Sequence, residues 1–161
     1  MDTNAQSLKE KLAGISTYDE FQQLRQSLSN HKQDDLYRFL FKLAINGRED
    51  HTPKMAGCML IELQPNCSDT LYDVLTQIHL SSYFLSFREV PFYLVTQFGK
   101  HNLLSEAKQF VKNIPKEESS NPRVDTIIYW ASMPASELCK GFHDWESEEF
   151  LEAAQNADSH E

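Results

Sequence analysis

Six histidines (His31, His51, His79, His101, His143 and His160) and three cysteines (Cys58, Cys67 and Cys139) have the chemistry for proton transfer, nucleophilic attack or soft-metal ligation. Their spacing serves none of these well. No two histidines stand three or four residues apart, and there is no H-E-x-x-H, C-x-x-C or G-x-S-x-G. The five glycines are too scattered for a loop that cradles phosphate. Asp50-His51 could form an oriented acid–base pair, and His143 could activate Cys139, but both need side-chain contact that nearness in sequence does not supply. At a helix start, Asp50 and His51 read more simply as cap and solvent groups. Cys58 lies in an apolar run and reads as core. The expectation is a chain with no catalysis, no metal and no cofactor.

The carboxylates are distributed differently. From Asp144 onward the chain reads DWESEEFLEAAQNADSHE, with seven acids and no lysine or arginine. The whole chain has 24 acids against 15 bases, so residues 1–143 hold 17 acids and 15 bases. A net charge of −9 therefore divides into −7 over 144–161 and −2 over everything before it. A helix that is merely solvated gains from i,i+4 pairs of opposite charge, and this segment offers none. Trp145 among carboxylates is also a mixture found at the centre of protein interfaces. The candidate partner-binding residues are Asp144, Trp145, Glu146, Glu148, Glu149 and Glu152, the first of them the expected N-cap of a last helix. Such a surface steers a basic protein. Nucleic acid and anionic membrane surfaces are disfavoured, because both require a basic face.

With 161 residues, 40% hydrophobic and 11% aromatic, the chain is expected to form one folded domain over 1–161, with the acidic helix or tail at 144–161. The beginning, MDTNAQSLKEKL, lacks a signal pattern, and the apolar run Met55–Leu63 is too short to span a bilayer, so a cytoplasmic location is expected.

The elements that would position these groups are helical throughout, because apolar residues recur at threes and fours. Thr17 and Glu20 make a T-x-x-E capping box ahead of Phe21, Leu24 and Leu28. Leu36 to Ala44 form a helix before Gly47. Thr52 and Pro53 are the expected N-cap and first residue of a helix that Pro65 stops. Cys67 or Ser68 should begin the next helix, through Ile78. Ser86 and Glu89 read as a second capping box leading into a helix that Gly99 ends. Leu103–Ile114, a helix from Pro122, and a short turn from Ala135 follow. Pro53–Leu63 resembles Arg88–Phe98, and Arg88–Val95 resembles Arg123–Trp130, each 35 residues apart. The fold class is thus all-α, with about eight helices, as an irregular bundle or a short HEAT-like α-solenoid of helix pairs. The aromatics Tyr83, Phe84, Phe87, Phe92 and Tyr93 read as packing between helices. Tyr83, in a loop, is the expected exposed member and a further partner-contact candidate. Tyr129 and Trp130 must face different directions, one of them inward.

The stretches L-I-E-L-Q-P-N-C and E-V-P-F-Y-L-V-T-Q-F-G-K, within residues 51–100, resemble small helical immunity proteins of bacterial contact-dependent growth inhibition systems. The resemblance covers about a third of the chain and consists of fold-making residues. It implies a cytoplasmic monomer that neutralises a cognate toxin one-to-one, and it carries over no binding residue by motif. A nuclease toxin has a basic cleft, which an acidic protein can occlude. The expected function is therefore inhibition of a basic toxin domain by direct binding. The alternative is a helical-repeat adaptor that docks a protein without inhibiting it.

Overall fold

The structure, a computed structural model, describes residues 2–47, 51–83, 87–115, 117 and 122–138. Among these residues there are nine helices and no strand. They are α1 (Asp2–Ala13), α2 (Tyr18–Leu28), α3 (Gln33–Ala44), α4 (Thr52–Leu63), α5 (Leu71–Leu80), α6 (Glu89–Phe98), α7 (Lys100–Asn113), α8 (Arg123–Ala131) and α9 (Ala135–Leu138). None of them is long and apolar enough to cross a membrane.

Local chemistry explains most of the boundaries. Thr17 Oγ1 accepts the Glu20 N–H at 3.2 Å, while the Glu20 carboxylate reaches back to the Ser16 N–H at 2.7 Å. The box therefore closes on Ser16 rather than on Thr17. Before α4 the N-cap is His51, one residue earlier than Thr52, and Pro53 becomes the second helical residue, still within the turn whose N–H groups lack helical partners. Gln64 caps α4 in the left-handed conformation, φ 44° and ψ 50°, and Pro65 after it has no N–H with which to continue the helix. Thr70, not Cys67 or Ser68, caps α5 by accepting the Asp73 N–H at 3.2 Å. At α6 the N-cap is Arg88, whose side chain makes no cap bond, and Glu89 is buried. Ser86, its expected partner, lies outside the described residues. Gly99, at φ 81°, is the whole connection between α6 and α7, so α7 begins three residues before Leu103.

The core is arranged around α4 and α6. Both are apolar on nearly every side, and α4 buries every residue from Met55 to Ile61. Against α4 pack α1, α2 and α3; against α6 pack α7, α8 and α9. The amphipathic α5 rests on α7 and α8 through Leu71, Val74, Leu75 and Ile78. The two central helices run parallel. At their heads Lys54 Nζ lies 3.9 Å from Glu89 Oε1, and at their tails Gln97 Nε2 donates to Gln64 Oε1 at 3.0 Å. Offsets of 35 and 33 residues follow the repeat seen in the sequence. With α4 beside α6 and α5 beside α7, two helix pairs stack, and the remaining helices close the ends.

The chain between α4 and α5 is tied down by side chains from three helices. Tyr93 donates to the Pro65 carbonyl at 2.6 Å, Gln97 Oε1 accepts the Cys67 N–H at 3.0 Å, and Gln33 Oε1 accepts the Asn66 N–H at 3.2 Å. Tyr37 and Gln77 both donate to Asp69 Oδ2 at 2.9 Å. Tyr93→Phe should cost about 1–3 kcal/mol in urea denaturation, because it leaves a buried carbonyl without a donor. A Cβ added at Gly57 would lie 2.6 Å from Glu89 Cβ. Gly57→Ala should therefore destabilise by about 1–3 kcal/mol despite alanine's better helix propensity, measured the same way.

Candidate functional site

The acidic candidates Asp144, Trp145, Glu146, Glu148, Glu149 and Glu152 lie outside the described residues, as do Asp50, Cys139 and His143. His51 is exposed at the N-cap of α4 and makes no side-chain cap bond there.

Tyr83 is a correction. It is 0% exposed, not the surface member of its cluster, so no partner can touch it in this fold. The turn after α5 is drawn inward by polar ties: Ser82 Oγ accepts the Gly47 N–H at 2.9 Å and Ser81 Oγ accepts the Tyr83 N–H at 3.1 Å. The ring is thereby enclosed, and its hydroxyl donates to the Phe87 carbonyl. Burial, and secondarily the nearby Glu89 charge, push its phenol well above the ordinary range. Phe92 and Tyr93 are core, as their pattern predicted. Of the neighbouring pair on α8, Trp130 packs on the core with the Arg88 guanidinium 5.6 Å over its ring, and Tyr129 is 61% exposed.

A concave surface of about 420 Å³ opens between α3 and α5. Its floor is Tyr37, Phe41 and Ile45, and α3 adds Arg38 and Lys42, one helical turn apart and both exposed. Asp69 and Leu80 contribute from the opposite side. Leu80 is 77% exposed while its neighbour His79 is buried, the reverse of their hydropathies. The helical period decides this: Leu71, Val74, Leu75 and Ile78 set the inward face of α5, position 79 falls beside it, and position 80 falls opposite. Reading α5 residue by residue for apolar groups off that face finds both Leu80 and the exposed Tyr72.

The polar groups here are acceptors and donors already in use. Asp69 Oδ2 takes bonds from Tyr37 and Gln77, and burial pushes the Tyr37 phenol far above its ordinary range. The Cys67 thiol is also raised by burial, which removes thiolate character at neutral pH. An apolar floor with a cationic rim suits binding of an apolar side chain flanked by a negative group. Among the described residues, no group of three or more His, Cys, Asp or Glu is placed to hold a metal ion. In comparisons with family models, curated proteins and solved structures, nothing matches this chain.

Proposed function

We propose that this chain is an immunity protein: a non-catalytic, cytoplasmic inhibitor that binds a basic toxin domain, a nuclease, one-to-one and occludes its active cleft. The observation that carries this reading is the division of charge, seven acids without a base over 144–161 against a net −2 over residues 1–143. A nuclease cleft is shaped to attract a polyanion. A run of carboxylates carrying Trp145 and Phe150 offers it both the charge of its substrate and apolar anchors. The helical frame supports the reading by supplying a cross-braced platform that need lose little conformational entropy on binding.

The surface between α3 and α5 favours a second reading, a helical adaptor. Exposed Leu80 and the apolar floor beside it would dock a partner by apolar contact, without reference to the acidic segment.

Co-purification with the toxin domain encoded beside this chain, at low and at high salt, tests the first reading. The expected result is a one-to-one complex that loses nuclease activity and weakens as salt rises. Reversing Glu148, Glu149 and Glu152 to lysine should weaken it at least about tenfold, near 1.4 kcal/mol, and flatten its salt dependence. A complex indifferent to both changes, but lost in Leu80→Asp, would place the interface on α3 and α5. Unimpaired nuclease activity in a stable complex would give the adaptor reading.

A further inference from the structure

At the head of the α4–α6 seam sits a carboxyl that the inhibitor reading does not use. Glu89 is 3% exposed. Its Oε1 is 3.9 Å from Lys54 Nζ, beyond hydrogen-bond length, and its Oε2 meets no donor among the described residues. Gly57 backs onto its stem, where even an added methyl would lie 2.6 Å from Glu89 Cβ, so the side chain has no room to retract toward α4. Among the described residues, the titratable and charged groups that face it are Lys54 and Cys58 from α4, Tyr83 from the turn before α6, and Arg88 at the N-cap of its own helix. The described residues of α7, α8 and α9 place no charge among those that move it.

A carboxylate in this position has an oxygen that meets no donor among the described residues, whereas a neutral carboxyl carries a far smaller desolvation cost. Burial accordingly raises Glu89 to about 7, outweighing the opposing pull of its own and the Arg88 N–H groups and of the Lys54 and Arg88 charges. Because the folded value lies above the ordinary 4.5, the stability tied to this proton is complete below 4.5 and is lost as pH rises toward 7.

The strain has a local outlet. Glu89 is the first residue of α6, and Pro91 removes a backbone donor from the same turn. The far end of the seam is held separately by the Gln64–Gln97 bond, about 12 Å along the helix from Glu89 at 1.5 Å per residue, and Tyr93 ties α6 to Pro65 about 6 Å along. We propose that Glu89 is a proton-operated latch: protonated, it closes the head of the α4–α6 seam, and ionised, it opens that end alone and uncovers Cys58 and Tyr83.

The test compares Cys58 labelling by dithiodipyridine, located by mass spectrometry, in the full chain and in its Glu89→Gln variant. Taking the ratio of the two rates cancels the thiol's own ionisation. Between about pH 5 and about pH 8 that ratio should rise roughly seventyfold, the change in opening expected when a group of pKa 4.5 in the open form is held near 7 in the closed one. A ratio flat with pH overturns the latch. Should the variant fold poorly, hydrogen exchange of the unaltered chain decides. Uptake over 52–58 and 88–92 should rise with pH relative to uptake over 18–28 in the same sample. A constant relative uptake, or an equal rise in all three segments, overturns a local opening at the head of the seam.

Discussion

Everything in this fold leans on the parallel approach of α4 and α6. Two helices that are apolar around most of their circumference have no stable existence in water, so each requires neighbours on several sides. The glycine at position 57 sets how near they come. That nearness lets Gln64 be reached by both Thr96 and Gln97, and Pro65 by Tyr93. The surrounding helices are ordinary amphipaths, docked by one face each. Their placement follows from the pair they cover.

Much of this was legible in the chain, and what was not has a common cause. The helical period, the Thr17 box, Pro53 within the first turn of α4 and the role of Gly99 are local physics, and each took effect within a residue or so of its expected position. The 35-residue offset was legible too, since like sequences packed side by side in like register. Ser86 and Glu89 also make a good local signal, yet Glu89 is taken up by tertiary burial. Tyr83 departs from its local signal for the same reason. A loop position is exposed on average, but serine ties to a neighbouring turn 35 residues away pulled this one in. The concave surface between α3 and α5 joins residues some forty positions apart, and no local pattern announces it. Only the phase of α5, which leaves Leu80 outside, gave a trace of it.

The two halves of the chemistry are kept apart. The described helices mix acids and bases, and they are held by apolar burial and by side-chain hydrogen bonds, some of them to single carboxylates such as Asp69 and Glu20. The excess charge is gathered past position 143. Seven carboxylates gathered in one segment repel one another more than the same seven dispersed would. The gathering leaves residues 1–143 near neutrality and concentrates the negative charge of the chain in its last eighteen residues.

Gly99 carries a consequence for how the molecule can vary. A one-residue connection has no slack: adding a residue would rotate α7 by about 100° about its axis and advance it by about 1.5 Å. Leu103 and Ala107, its buried positions, would leave the core together. Descendants of this sequence must therefore inherit that corner at a fixed count. It makes α6 and α7 a single bent unit, the segment of the fold in which insertions and deletions should be rarest.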